Sequence, residues 1–204
     1  KEEAFKFEFS KGKYWMNDDL FAPFDYKITK SDKEVEKEKD ILTKNFKPYF
    51  KIDLKSDLIK RNELKSNLEK QLKSISKSDK EDVINFEIKF ALQVFDSLLK
   101  WGIIETVPQI DNKPPDFDVI VIKNNIAEEK ELNSFYSVSS ADKYIKEKVD
   151  KLKTEHKSVL INLLEKSIFQ NVIYDSELTQ KEQQNLISNI STSIGMIENG
   201  QRII

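Results

Sequence analysis

A segment with a broad apolar face, running from Ile84 to Leu98, constrains the fold of this chain more than any other feature. Its apolar residues recur at helical spacing, and others widen the face on both sides: Ile84, Ile88, Ala91, Phe95, Leu98, Val83, Phe90, Leu92 and Val94. A helix that is apolar over so much of its surface must be buried by several neighbours. Ser78 to Glu81 form a capping box before it, and Gly102 suits its C-cap. We therefore expect a central core helix.

More polar segments with narrower apolar stripes predict further helices around this one. Their apolar residues recur at helical spacing near 35–46, 54–75, 141–152, 159–168 and 178–190. Side chains that can cap the first turn of a helix stand before several of these segments: Ser31 with Glu34, Ser139 or Ser140, and Asp175, Ser176 or Thr179. Together these signals predict a helical bundle from about 31 to 105 and from 139 to 190.

The leucine stripe from Leu54 to Ile75 allows two interpretations. Its spacing resembles a coiled-coil seam, which would pair this helix with a second copy of the chain. The same spacing also suits a helix with one face packed on a neighbouring helix of its own fold. A homodimer is therefore possible, and the sequence leaves the choice open.

Alternating or β-branched segments predict a small mixed or antiparallel sheet beside the bundle. Its strands are expected near 5–9, 24–28, 118–123, 126–136 and 192–204. Tyr49–Asp53 predicts a further short strand, Val172–Tyr174 predicts a strand or a loop, and Asn199-Gly200 predicts a hairpin turn. Pairing of the first and last strands would bring the two ends of the chain together. The sequence thus predicts a predominantly helical α+β fold, with residues 1–204 as one domain.

Composition excludes several classes of partner and anchor. The 34 basic and 36 acidic residues give a net charge of −2, and Arg61 and Arg202 are the only arginines. Such a balance gives no electrostatic attraction to nucleic acid, and arginine is the residue best suited to phosphate and base recognition. No apolar run approaches the roughly 20 residues that span a bilayer. The chain ends on two isoleucines without a polar tail, which is typical of a segment from a longer protein.

The sequence also offers no catalytic or metal-binding constellation. Cysteine is absent, and His156 is the only histidine. A metal-dependent hydrolase site needs several histidines and carboxylates together. The Asp18-Asp19 pair lacks the spacing of a calcium loop, and so does the group of Asp111, Asp116 and Asp118. We expect no cofactor and no metal, and we expect His156 to be a solvated surface residue.

Aromatic and acidic residues cluster around Pro23, and this cluster is the best candidate for a ligand contact. Aromatic rings beside carboxylates can form a small-molecule pocket or a partner contact. The alternative is that the aromatic side chains flank the core and cover a sheet edge. The candidate ligand-binding residues are Trp15, Asp18, Asp25 and Tyr26.

Several short motifs, in a fixed order, give the chain a family resemblance. Those near the end are Asn171-x-x-Tyr174-Asp175, then Thr179, then Gly195-Met196-Ile197-x-x-Gly200-Gln201-x-Ile203-Ile204. Those near the start are Gly12-Lys13-x-Trp15, Asp19-Leu20-x-Ala22-Pro23-Phe24-Asp25 and Phe46-Lys47-Pro48-Tyr49-Phe50. Their order and spacing resemble the extracellular domain of bacterial seven-transmembrane HD-hydrolase receptors.

The resemblance implies a function that the residues alone do not show. In that family the domain lies between a first membrane helix and seven more, and a cytoplasmic HD phosphodiesterase follows. Well-known members hydrolyse cyclic di-AMP. The resemblance therefore implies a non-enzymatic, extracytoplasmic domain, periplasmic or at the cell surface, that senses a small molecule or contacts an envelope protein. It would also contact its own transmembrane helices. The alternatives are a structural or oligomerisation module using the 54–75 helix, and an independent hydrolase.

Overall fold

The computed structural model describes residues 12–16, 18–75 and 81–204. The chain forms two compact units. The larger unit comprises residues 45–184, and the smaller unit comprises the described parts of 1–44 and 185–204. The α+β fold class expected from the sequence is confirmed. That residues 1–204 act as one domain stays a prediction.

The described residues form six α-helices and six β-strands. The helices are α1 (Asp32–Asn45), α2 (Leu54–Ile75), α3 (Glu81–Trp101), α4 (Val138–Asp150), α5 (Lys157–Ser167) and α6 (Ser176–Ser188). The strands are β1 (Tyr26–Thr29), β2 (Tyr49–Ile52), β3 (Asp118–Lys123), β4 (Ile126–Glu131), β5 (Val172–Tyr174) and β6 (Ser193–Ile197). A short 3₁₀ turn, Leu132–Ser134, follows β4.

Helix α3 is the centre of the larger unit, as its apolar face predicts. Its residues pack in one core cluster with buried side chains from α2, α4 and α5. Leu64, Leu68 and Leu72 of α2 are fully buried there, and α2 packs against both α3 and α5. Packing within the fold therefore accounts for these three leucines of the stripe, whereas Ile75 at its end is exposed.

A four-stranded sheet completes the larger unit, in the order β4-β3-β2-β5. Strand β2 runs parallel to β3, whereas the two outer pairings are antiparallel. One face of the sheet carries Phe50, Val119, Val121 and Val172, which are buried in a second core cluster with Ile104. Removing these apolar side chains from water is what holds such short strands together.

The prediction of one sheet is wrong, because the described strands form two separate sheets. Among the described strands, β1 and β6 pair with each other and form one of these sheets. The short strands β2 and β5 belong to the sheet of β3 and β4, whereas the expected strands near 24–28 and 192–204 form the other sheet. Strand β4 is also shorter than the predicted 126–136 segment, since a 3₁₀ turn begins at Leu132. The predicted strand at 5–9 lies outside the described residues.

In the smaller unit, the predicted strands near 24–28 and 192–204 do pair with each other. Strand β1 is antiparallel to β6, with Tyr26 opposite Ile197. The Asn199-Gly200 turn forms as expected, with Gly200 at φ 78° and the Gln201 N–H donating to the Glu198 carbonyl. It does not close a hairpin, because the segment after it pairs with Leu20. The Ile203 N–H donates to the Leu20 carbonyl at 2.8 Å, and the Leu20 N–H donates to the Ile204 carbonyl at 3.1 Å.

Local capping chemistry sets two helix starts. At α1, the Ser31 N–H donates to Glu34 at 2.8 Å and the Glu34 N–H donates to the Ser31 hydroxyl at 3.4 Å. This confirms the predicted capping box. At α4 the cap is Ser137, not Ser139 or Ser140, because Ser137 has the extended backbone that a cap requires and Ser140 supplies the reciprocal side chain. The capping box at 78–81 lies partly outside the described residues.

Gly102 ends α3 where the chain turns toward the sheet. It adopts φ 95°, and its N–H donates to the Leu98 carbonyl at 2.9 Å. A Cβ at this position would lie 2.6 Å from Cγ2 of Val172 and 3.2 Å from Cδ1 of Phe135. Only glycine combines this backbone conformation with so close an approach of the neighbouring side chains.

We expect Gly102→Ala to lower the free energy of unfolding of the larger unit by more than about 2 kcal/mol, because strain at positive φ adds to a clash with buried atoms. Urea denaturation measures this loss. Gly200→Ala is the matched control, since Gly200 shares the positive φ but has nothing within 4 Å of the added Cβ; it should cost its own unit about 1–2 kcal/mol. Equal losses in the two variants would contradict the packing argument.

Candidate functional site

The structure uses the predicted ligand-binding residues in local contacts of the smaller unit. The Trp15 indole Nε1–H donates to the backbone carbonyl of Asp18 at 2.8 Å. An Asp25 carboxylate oxygen accepts from the Asn199 N–H at 2.7 Å and so holds the 198–201 turn. Tyr26 lies in β1, opposite Ile197. The structure thus joins Trp15 to Asp18, and Asp25 to the final turn.

These four residues do not line the open grooves of the larger unit. Three open grooves of about 420 to 570 Å³ occur in the larger unit, and none of them is lined by Trp15, Asp18, Asp25 or Tyr26. The carboxylates of Asp18 and Asp25 are exposed. A ligand contact at this cluster stays a prediction.

The expectation that His156 is a solvated surface residue is wrong. Its side chain is only 15 % exposed, and its Nδ1 lies 3.0 Å from Oε2 of Glu87, which is 2 % exposed. The hydroxyl of Thr154 donates to the other oxygen of the same carboxylate. Glu87 stands on the buried face of α3, so the loop before α5 must supply polar partners for it. A carboxylate at a core position of the predicted helix was the one sequence signal for this pair.

This arrangement is a structural contact without the geometry of a nucleophilic site. In a serine-type triad the hydroxyl donates to histidine, and histidine donates to the carboxylate. Here the Thr154 hydroxyl donates directly to Glu87, so the histidine cannot take its proton. The described residues also contain no group of three or more His, Asp or Glu side chains that could hold a metal ion. The contact ties the start of α5 to α3.

The side chain of the fully buried Asn171, which precedes β5, contacts several elements of the larger unit. Its Oδ1 accepts from the Ile103 N–H at 2.9 Å. Its Nδ2 donates to the Leu99 carbonyl at 3.1 Å and to the Asp57 carboxylate at 3.1 Å. Its own N–H donates to the Ile103 carbonyl, and its carbonyl accepts from the Asp53 N–H. One residue therefore links the end of α3, the first turn of α2 and the start of β5.

The neighbouring motif residues also act in the structure. The Tyr174 ring packs edge-on against Phe50, with centroids 5.6 Å apart. Asp175 is the cap of α6, because its Oδ1 accepts from the Leu178 N–H at 3.1 Å. The Thr179 hydroxyl accepts from the Tyr49 N–H at 3.0 Å. The motif that carries the family resemblance therefore fixes β5 and the start of α6 to the sheet.

We expect Asn171→Ala to lower the free energy of unfolding by about 2–4 kcal/mol, because it leaves the Ile103 N–H and the Leu99 carbonyl buried without these partners. Chemical denaturation followed by circular dichroism measures the loss. Asn162→Ala, at an exposed position of α5, should change it by less than about 0.5 kcal/mol. Similar stabilities for the two variants would contradict the role assigned to Asn171.

Asp57, which accepts a hydrogen bond from Asn171, also lines an open groove. The groove has a volume of about 420 Å³ and lies among residues from the start of α2, the end of α3 and the end of β3. Desolvation raises the pKa of Asp57 above its usual value, and the hydrogen bond from Asn171 opposes this effect only in part. The nearby Asp53 raises the pKa of Asp57 further, whereas Lys123 lowers it. A carboxylate of perturbed pKa in a groove is a candidate for ligand recognition.

The raised pKa of Asp57 determines the direction in which this residue makes folding stability depend on pH. A carboxyl group with a folded-state pKa above its unfolded value favours folding when protonated, and this contribution is lost as the pH rises through the folded-state pKa. Asp57→Asn keeps an oxygen that can accept from Asn171 and removes the charge. We therefore expect Asp57→Asn to raise the melting temperature at pH 7 by no more than about 3 °C.

The advantage of Asp57→Asn should disappear below about pH 4, where the wild-type carboxyl group is protonated in both states. Thermal melts from pH 3 to pH 8 measure the difference. Asp150→Asn, at an exposed position at the end of α4, is the matched control and should show no such trend. A melting temperature that falls at pH 7 in Asp57→Asn would contradict the desolvation argument.

Comparison with known proteins gives one match. The family model described as "7TM-HD extracellular" matches residues 17–204. The matched region contains Asp18, Asp25 and Tyr26, the Asn171 network and the groove beside Asp57, whereas Trp15 precedes it. No curated protein and no solved structure matches the chain. None of the helices in the described part of the chain has the length and apolar character needed to cross a membrane.

Proposed function

The chain belongs to the family of 7TM-HD extracellular domains, and we propose that it senses a ligand or contacts an envelope partner for a seven-transmembrane receptor. In this proposal the cytoplasmic HD domain of the receptor hydrolyses a cyclic dinucleotide, and cyclic di-AMP is the nucleotide that the resemblance suggests. The observation that carries the proposal is the family match over residues 17–204. It supports an extracytoplasmic location on a membrane protein.

The smaller unit supports an insertion between membrane segments. Strand β1 pairs with β6, and Leu20 exchanges backbone hydrogen bonds with Ile203 and Ile204. A domain between two membrane helices must return its chain to the membrane face that it left. Pairing of early and late segments in one sheet meets that requirement.

The chemistry of the chain favours a non-catalytic role. Its single histidine is held by Glu87 and Thr154. Hydrolysis at an HD site needs several histidine and aspartate ligands for metal ions. We therefore assign hydrolysis to another domain of the receptor. This chain would regulate it by binding a ligand more tightly in one of two conformations, and so shifting their populations.

The leucine stripe offers a smaller exposed surface for oligomerisation than the sequence suggested. Leu64, Leu68 and Leu72 are fully buried within the fold. Leu54 and Leu58, nearer the start of α2, are 37 % and 66 % exposed. These two residues and Ile75 at the end of α2, which is 51 % exposed, are the remaining surface of the stripe for a second copy, and a homodimer stays a prediction.

Cysteine labelling in intact cells tests the extracytoplasmic location. The chain has no cysteine, so Glu177→Cys, at an exposed position of α6, introduces a single site into a receptor freed of its other cysteines. We expect a membrane-impermeant maleimide to label this site equally before and after cell lysis. A single cysteine in the HD domain is the control and should react only after lysis. Labelling of the Glu177→Cys variant only after lysis would contradict the proposal.

A further inference from the structure

The groove beside Asp57 has apolar walls that stay open to solvent. Ile52, Leu54 and Leu58 are among the residues that line it. Leu58 is 66 % exposed, although Leu64, Leu68 and Leu72 farther along the same helix are fully buried. Small-molecule sites usually combine apolar walls with a few polar groups in a volume of about 300–1,000 Å³. The groove, at about 420 Å³, falls within that range.

One pair of charges in the groove is already neutralised within the fold. Nε and Nη2 of Arg61 donate to the two Asp96 oxygens at 2.7 and 2.9 Å. Such a two-point contact satisfies both groups and fixes their orientation. Arg61 and Asp96 therefore form a wall of the groove and leave the recognition of charge to other residues.

The other charged groups in the groove are Asp57, Lys100 and Lys123. Within the described residues, none of them forms an ion pair with a protein group inside 4 Å. The Asp57 carboxylate is partly desolvated, and the attraction of Lys123 does not offset that cost. An incoming cationic group would offset it by direct contact with the carboxylate.

The same charges disfavour ligands that carry only positive charge or only negative charge. A simple cation would be repelled by Lys100 and Lys123, and a simple anion would be repelled by Asp57. A molecule with an ammonium group, a carboxylate and an apolar side chain matches all three parts of the groove. Asn171 fixes one edge of the Asp57 carboxylate, so the acceptor is oriented before a ligand arrives.

We propose that this groove binds a small zwitterion with an apolar side chain, of the size of an aliphatic amino acid or a dipeptide. Asp57 accepts hydrogen bonds from the ligand ammonium group, Lys123 and Lys100 attract its carboxylate, and Leu54 and Leu58 contact its side chain. This inference names the ligand class for the sensing role and rests on the proposed function. It concerns a groove of the larger unit, and the residues that line this groove do not include Trp15, Asp18, Asp25 or Tyr26.

Titration of the isotopically labelled 204-residue chain with L-leucine tests the inference by nuclear magnetic resonance. We expect saturable shifts of backbone amide signals around Leu58, Asp96 and Lys123. Isoamylamine lacks the carboxylate and 4-methylpentanoate lacks the ammonium group, so each should bind at least about tenfold more weakly. L-leucyl-L-leucine separates the two charged groups, and comparison with leucine distinguishes a free amino acid from a peptide as the source.

Variants connect binding to the named side chains. Asp57→Asn and Lys123→Gln should each weaken the binding of leucine or dileucine by about tenfold or more. Asp57→Asn is expected to fold at least as well as the wild type at pH 7, so a loss of binding would not result from unfolding. Asp150→Asn removes an exposed carboxylate at the end of α4 and should leave the affinity unchanged.

Three results would overturn the inference. They are the absence of saturable shifts with both zwitterions at millimolar concentration, equal binding of the amine or the acid alone, and unchanged affinity in Asp57→Asn. None of these results bears on the cysteine-labelling test, which reports location. Conversely, suppose that the zwitterion binds but Glu177→Cys is labelled only after lysis. These results together would support the inference about the groove and contradict the proposed extracytoplasmic location.

Discussion

The buried side-chain amide of Asn171 is the contact on which the larger unit depends. It satisfies the Leu99 carbonyl and the Ile103 N–H where α3 ends, and it holds the carboxylate of Asp57 at the start of α2. Buried backbone groups without partners are costly, so the chain can turn from helix to sheet here only because this amide is present. Gly102 makes the same turn possible by admitting positive φ beside Val172.

The strongly periodic parts of the fold could be predicted from the sequence, whereas the pairing of short strands could not. The central position of helix α3 could be predicted because its broad apolar face must be buried by several neighbours. The sheet arrangement depends on β2 and β5, which have four and three residues and carry too little pattern to reveal their partners. Strand β2 pairs with β3 and β5, both distant in sequence, so long-range contacts such as that of Phe50 with Tyr174, and not local signals, determine the pairing.

Some of the polar contacts could likewise be predicted from the sequence, whereas others could not. Ser31 and Glu34 are three residues apart, so their capping box is visible in the sequence. Glu87 and His156 meet only because α3 and the loop before α5 pack together, and nothing local to His156 distinguishes it from a solvated residue. Asp57 carries no sequence signal of its own, since its perturbed pKa arises from burial near Asn171. The family motif at 171–179 includes Asn171, whose side chain holds the start of α2 and the end of α3 beside the groove.

Native-state amide hydrogen exchange tests most directly whether the Asn171 contact joins the helices and the sheet of the larger unit into one cooperative structure. The Ile103 N–H, which donates to Asn171 Oδ1, should exchange only with the free energy of global unfolding of that unit. The amide of Phe95, in the buried centre of α3, should have the same protection. Exchange of the Ile103 amide through a low-energy local opening, with the Phe95 amide still fully protected, would contradict this account.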